Sequence, residues 1–119
     1  MSSNIRCYLR TLRREWGLTQ RELASLLRKA SRNRVSRVER GVIPPNAGEI
    51  LAYSLIFGSS GKAIFRQFSE ETDEAVMRGA YRLHQLLEGD NSIQAQRKRE
   101  LVDYIRARAI KNANQKLEV

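Results

Sequence analysis

The chain has 119 residues, 41% of them hydrophobic, which is the length of one domain or of a small domain with an appendage. Its formal net charge is +9, and residues 1–41 contain 11 of the 22 Lys and Arg but only 3 of the 13 Asp and Glu, which indicates a polyanionic partner for that first third. The single cysteine excludes an intrachain disulfide and a zinc site built on cysteine pairs, and there is only one histidine. No apolar run reaches the length of a membrane span, so we expect a cytoplasmic protein with no metal, no cofactor and no membrane helix.

Helical spacing of apolar residues recurs along the chain, whereas alternation of period two is essentially absent, so the predicted fold class is all-α. The first helix is predicted over residues 4–15, with an apolar face formed by Ile5, Tyr8, Leu9 and Leu12. Gly17 ends this helix. Tyr8 and Trp16 are expected to pack in the core, because they fit the apolar side of the helix and its end.

Capping residues delimit the next two predicted helices. Thr19, with Glu22 three residues later, forms a capping box that opens the second helix, whose buried side is formed by Leu23, Ala24 and Leu27. Ser31 is the natural N-cap of the third helix, and Gly41 closes it as a left-handed cap. The segment from Gly17 to Gly41 therefore predicts two short helices joined by a turn.

The third predicted helix has the composition that reading a DNA major groove requires. Its apolar line is Val35 and Val38, and the opposite face carries Arg32, Asn33, Ser36 and Arg37. Arg donates two parallel hydrogen bonds to guanine, and Asn bonds adenine in the same way. A merely solvated basic face is the alternative, but no acid precedes Glu39 in this helix, which favours the DNA-reading interpretation.

The rest of the chain predicts further helices. Pro44 and Pro45 force an extended loop, and Asn46 with Glu49 caps a fourth helix whose stripe is Ile50, Leu51, Leu55 and Phe57. The break at 58–61 is the candidate domain boundary. Beyond it, a short helix is predicted at about 61–67, a helix over 70–88 and a last helix over about 92–112, followed by a frayed tail over 113–119. These helices either cover the DNA-binding core or form a two-fold dimer interface; the candidate dimer residues are Val76, Ala80, Leu83, Leu87, Leu101 and Ile105.

Three groups of residues resemble the phage repressor and Cro-like (XRE-type) helix-turn-helix family of prokaryotic regulators. They are Leu18-Thr19-Gln20, Glu22-Leu23-Ala24 and Val35-Ser36-x-Val38-Glu39-x-Gly41, with Pro44 beyond. The resemblance covers residues 5–57, about half of the chain. It implies a five-helix lambda-repressor-like DNA-binding domain over 1–58, followed by two further helices over 62–112 as a dimerisation region.

The resemblance also implies roles for individual residues. Arg32, Asn33 and Arg37, with Ser36 as a lesser candidate, match positions that touch base edges; the positions that touch the DNA backbone are Gln20, Arg34, Arg40 and Asn46. Gln20 would also brace the third helix, and Arg13 and Glu39 match a pair that forms an internal salt bridge. The turn Leu27-Arg28-Lys29-Ala30 departs from the family, which normally has a glycine there. Either the second helix extends or the turn is wider.

The predicted function is transcription regulation, as a repressor that binds an inverted-repeat operator in double-stranded DNA as a homodimer. The alternative is an antitoxin-type protein that neutralises a protein partner and regulates its own operon through DNA binding. Binding to structured RNA is less favoured, because aromatic stacking platforms are missing from the sequence. No enzymatic activity is expected, since no catalytic motif occurs.

Overall fold

The computed structural model describes residues 7–28 and 30–117, with side chains described as far as residue 114. Within these residues seven α-helices follow one another and no strand occurs, which confirms the all-α prediction. The helices are α1 (Leu9–Glu15), α2 (Gln20–Leu27), α3 (Arg32–Glu39), α4 (Ala47–Phe57), α5 (Gly61–Ile64), α6 (Arg66–Leu86) and α7 (Ile93–Leu117). Ile5 in the first predicted helix, Lys29 in the turn and the last two residues of the predicted tail lie outside the described residues.

The chain divides into two compact units, one up to residue 70 and one from residue 71 onward. The core of the first unit is centred on side chains that are at most 1% exposed, namely Leu9, Leu23, Val35, Tyr53 and Ile64. Because α5 and the residue after it supply Ile64 and Phe65 to this core, the first unit continues past residue 58, where the predicted DNA-binding domain ends.

Side-chain caps set the beginnings of the helices that surround this core. Thr19 Oγ1 accepts from the backbone N–H of Glu22 at 3.0 Å, and the Glu22 carboxylate accepts in return from the N–H of Thr19 at 2.9 Å. Ser31 Oγ accepts from the N–H of Arg34 at 3.0 Å, and Asn46 with Glu49 forms a second reciprocal box. These hydrogen bonds confirm the three caps predicted from the sequence. Each cap satisfies backbone N–H groups that the start of a helix leaves without partners.

Several predicted core positions are exposed in the structure. Tyr8 is 57% and Trp16 is 69% exposed, because α1 begins only at Leu9 and Trp16 lies at its C-terminal cap. In α4, Leu51 is 72% and Leu55 is 86% exposed, so the predicted stripe of this helix is wrong at both positions. The helix is apolar on nearly every face, so its spacing did not identify the face that packs through the buried Tyr53.

The second unit contains most of α6 together with α7, joined by a short turn that ends α6 and includes Gly89 at φ +80°. Asn112 Nδ2 donates to Asp73 Oδ2 at 3.3 Å at one end of the two helices, and Arg99 donates to the carbonyl oxygen of Leu87 at the other. The helices are therefore antiparallel, and we call them the α6–α7 hairpin. α7 continues to Leu117, beyond the predicted end at residue 112.

The six residues predicted at a dimer interface differ in their burial in the structure. Ala80 and Leu87 are only 7% and 6% exposed, so in the structure they are buried within the chain rather than available to a second copy. Leu83 and Ile105 are half-buried, whereas Val76 and Leu101 are exposed. None of the described helices is long and apolar enough to cross a membrane.

Candidate nucleic-acid interface

The helix α3 separates an apolar face from a basic one. Val35 and Val38 are at most 2% exposed, whereas Arg32, Asn33 and Arg37 are exposed and Ser36 is half-buried. At 100° per residue, positions 32, 33, 36 and 37 fall within an arc of about 140° on the side away from the valines. The structure therefore brings the four residues predicted to contact bases onto one surface of one helix.

The C-terminal turn of α3 is fixed to α1 and α2 through Glu39. Arg13 donates from Nε to Glu39 Oε2 at 2.6 Å and from Nη2 to Oε1 at 3.1 Å, and its third contact is from Nη1 to the carbonyl oxygen of Leu18 at 2.8 Å. The side chains of Arg13 and Glu39 are 10% and 1% exposed. Gln20 Nε2 also donates to Glu39 Oε1 at 3.1 Å, so one carboxylate joins three helices.

The N-terminal turn of α3 is fixed to α4 by a second bidentate ion pair. Arg34 donates from Nε and Nη2 to the two oxygens of Glu49, at 2.9 and 2.7 Å, and more weakly to the carbonyl oxygen of Pro44 at 3.4 Å. The Arg34 guanidinium holds the pKa of the Glu49 carboxyl below its usual value, even though burial opposes this shift. The Arg34 guanidinium therefore has a structural role in attaching α3 to α4. The contact from Arg34 to the DNA backbone stays a prediction.

A basic cleft lies beside the N-terminus of α2. It has a volume of about 710 Å³, and among the residues that line it are Thr19, Gln20, Arg10, Arg21 and Arg32. Helix N-termini with nearby guanidinium groups favour phosphate binding, because N–H groups and positive charge converge on one spot. Arg10 and Arg21 were not among the predicted DNA contacts. The capping box at Thr19 marks the N-terminus of α2, beside which both arginines lie. This capping box was the signal that could have identified them from the sequence as candidate phosphate contacts.

The other two residues predicted to contact the DNA backbone have different local surroundings. Asn46 Oδ1 accepts from the N–H of Glu49 at 2.8 Å, so its oxygen caps α4 and its amide nitrogen is the group suited to a phosphate. Arg40 is exposed, and its Nε donates to the carbonyl oxygen of Ser36 at 3.3 Å. Both positions remain compatible with backbone contacts.

The turn between α2 and α3 takes an unusual backbone conformation. α2 ends at Leu27, so the second helix is not extended and the turn is the wider one. Arg28 has φ +67° and ψ −41°, and it is the only residue other than glycine with positive φ in the described part of the chain. This conformation is close to the classic γ-turn, which is rare and strained for L side chains. Arg28 thus takes the positive φ that glycine would accommodate without strain.

No three or more His, Cys, Asp or Glu among the described residues are grouped so that they could hold a metal ion. The candidate interface consists of hydrogen-bond donors and positively charged side chains.

A family model described as a helix-turn-helix domain matches residues 5–62 of the chain. The match spans α1 to α4 and the start of α5, and it supports a helix-turn-helix DNA-binding family for this part of the molecule. No curated protein and no solved structure matches the chain.

Proposed function

We propose that this chain is a transcription regulator of the phage repressor and Cro-like type, which binds a specific sequence in double-stranded DNA by inserting α3 into the major groove. The observation that carries the proposal is the exposed set Arg32, Asn33, Ser36 and Arg37 on a helix whose two ends are fixed by ion pairs. A helix that reads base edges must keep its position and its roll, because hydrogen bonds to bases tolerate little displacement. The ion pairs of Glu39 with Arg13 and of Glu49 with Arg34 attach the two ends of α3 to the neighbouring helices.

The phosphate contacts follow from the residues around α3. Arg10 and Arg21 line the cleft beside the N-terminus of α2, and Gln20 has one N–H bonded to Glu39 and a second available to a phosphate oxygen. On the other flank, Arg40 and the amide nitrogen of Asn46 are the candidate donors. Contacts of this kind fix register on the duplex and make affinity depend on salt, whereas the base contacts confer specificity.

The regulator acts as a homodimer in this proposal. Two copies of α3 related by a two-fold axis would read an inverted repeat whose half-sites are one helical turn apart, roughly 34–36 Å. Occupation of such a site next to a promoter, in the cytoplasm of a prokaryote, would exclude polymerase and make the protein a repressor. In this proposal the exposed apolar residues of α6 and α7, among them Val76 and Leu101, contribute to the contact between the two copies.

Selection of bound duplexes from a random pool tests the reading role of α3. The wild-type protein should enrich one palindromic motif, and Arg32→Ala and Arg37→Ala should each relax the motif at particular base pairs, because each bidentate contact discriminates by about 1–3 kcal/mol. Arg78→Ala, an exposed arginine of α6, is the matched control and should leave the motif unchanged. If both α3 variants select the wild-type motif as strongly as the wild type, α3 does not read the groove.

A further inference from the structure

The charged residues beyond residue 41 are unevenly distributed along the chain. Residues 42–92 contain 4 Lys and Arg and 7 Asp and Glu. Residues 93–114, the part of α7 whose side chains the structure describes, contain 6 Lys and Arg and 2 Asp and Glu. The chain therefore has a second basic segment besides its first third, and in the structure this segment is the single helix α7.

Four exposed residues form a line along the outer surface of α7. At 100° per residue, Arg97, Tyr104, Arg108 and Lys111 fall within an arc of about 60°, and all four side chains are exposed. The buried Val102 lies on the other side of the helix, so the line faces away from α6. We call these four residues the basic stripe. The stripe is about 21 Å long, since each residue of a helix rises about 1.5 Å.

The cations of the stripe are not balanced by acids of their own helix. Arg108 and Lys111 are three residues apart, and no Asp or Glu lies three or four positions from either of them. Glu100 borders the stripe beside Arg97, but among the described residues no ion pair involves Arg97, Arg108 or Lys111. Like charges at neighbouring positions of a helix repel each other. An anionic ligand on this surface would remove that repulsion.

Tyr104 fixes one of these cations on the helix surface. The guanidinium carbon of Arg108 lies 5.9 Å from the centroid of the Tyr104 ring, a distance at which the ring face attracts a cation. The tyrosine is 60% exposed. Guanidinium and phenol groups both donate hydrogen bonds to phosphate oxygens. The stripe therefore combines positive charge with donors suited to phosphate.

The outer surface of α6 differs, because its charges are balanced. Glu71, Glu74, Arg78 and Arg82 fall within an arc of about 80° there, and all four are exposed. Solvation is sufficient for a surface of mixed charge. The two helices of one hairpin thus differ in their outer surfaces, and only that of α7 favours an anionic partner.

We propose that the basic stripe binds the phosphate backbone of double-stranded DNA, as a contact surface separate from α3 and from the cleft beside α2. The proposal rests on the proposed function, because DNA held by the first unit is presented to the second unit of the same chain at a high effective concentration. Along 21 Å of its axis a duplex carries about 12 phosphate charges, so several lie within reach of the stripe. Such contacts add affinity and salt dependence without sequence specificity. An anionic membrane suits the stripe less well, because a helix that lies on a bilayer inserts aliphatic side chains and the stripe has none.

The salt dependence of binding to a duplex of scrambled sequence tests this proposal. The double variant Arg108→Gln/Lys111→Gln of the full-length chain removes two charges of the stripe. Fluorescence anisotropy should show that the slope of log affinity against log salt falls by about 2 per bound chain, since each phosphate contact contributes about 0.9. Affinity in 0.1 M salt should fall about tenfold or more. Both positions are exposed and glutamine is a good helix former, so circular dichroism should show unchanged helix content.

A charge-matched variant makes the test specific. Arg78→Gln/Arg82→Gln removes the same number of charges from exposed positions of the same hairpin, and its salt slope should stay close to that of the wild type. Equal slopes for the two double variants would overturn the proposal. So would an unchanged slope for Arg108→Gln/Lys111→Gln together with loss of binding to phosphatidylserine vesicles, because the stripe would then be a membrane contact. Since the duplex is scrambled, failure of the α3 variants to alter the selected motif would count against the proposed function alone.

Discussion

Replacing Glu39 by glutamine should destabilise the protein more than any other isosteric change of a carboxylate in the first unit. The Glu39 carboxylate accepts two hydrogen bonds from Arg13 and one from Gln20, and its side chain is only 1% exposed. Glutamine keeps the shape but removes the charge, so the guanidinium of Arg13 remains buried without a counter-ion. Breaking one partner of a buried pair costs about 3–5 kcal/mol, and we expect about 3 because the carbonyl oxygen of Leu18 still accepts from Arg13.

The Arg34–Glu49 pair provides the matched control for this prediction. Its side chains are 34% and 9% exposed, so water screens the pair and Glu49→Gln should cost only about 1 kcal/mol. Urea unfolding monitored by circular dichroism measures both values. Thermal unfolding should show the same order, with roughly 4 °C of Tm per kcal/mol for a chain of this size. A cost for Glu49→Gln equal to or larger than that for Glu39→Gln would refute the reasoning, because burial would then not decide the strength of these pairs.

Three further predictions concern the turn, the acid range and the core. At position 28, Gly should be more stable than Ala by about 1 kcal/mol in urea unfolding, the reverse of an ordinary helix position, because φ is +67° there; an Ala variant as stable as the Gly variant would remove the strain interpretation. Arg34 lowers the pKa of Glu49, so this pairing stabilises the protein fully above about pH 5 and the contribution is lost as the pH falls through the lowered pKa. The difference in unfolding free energy between wild type and Glu49→Gln should therefore shrink below about pH 4, and a constant difference would contradict the assignment. The hydroxyl of Tyr53 is buried and finds no hydrogen-bond partner among the described residues, so Tyr53→Phe should raise the unfolding free energy by about 1 kcal/mol; a loss of stability would mean that the hydroxyl has a partner.

Local chemistry explains which features could be predicted from the sequence. The caps at Thr19, Ser31 and Asn46 depend on residues three positions apart, and the structure contains each of them. The burial of Val35 and Val38 also follows from spacing within one short helix. In both cases the residues that decide the outcome are neighbours in the chain.

Features that depend on contacts between distant residues could not be predicted in this way. Arg34 shares its helix with Arg32 and Arg37, and only the position of Glu49, 15 residues later, distinguishes a structural arginine from the exposed ones. Similarly, the spacing in α4 did not identify Leu51 and Leu55 as exposed, because a helix that is apolar on nearly every face has no single preferred side.

The dimer set shows the same limit in the second unit. Ala80 and Val76 both fit the apolar spacing of α6, but the structure buries the first and exposes the second. Which stripe of an amphipathic helix packs within the chain depends on where the neighbouring helix lies. The sequence predicted the two helices, and the structure shows which of their residues are buried between them.

The central claim is that α3 reads bases while the cleft beside α2 holds phosphate. Fluorescence anisotropy with the selected duplex and a scrambled duplex, at several salt concentrations, tests it for Arg37→Ala and Arg21→Ala. Arg37→Ala should lower the ratio of the two affinities by roughly tenfold or more, whereas Arg21→Ala should weaken both duplexes equally and reduce the salt slope by about 1. Equal weakening of both duplexes by Arg37→Ala, with an unchanged affinity ratio, would contradict the account.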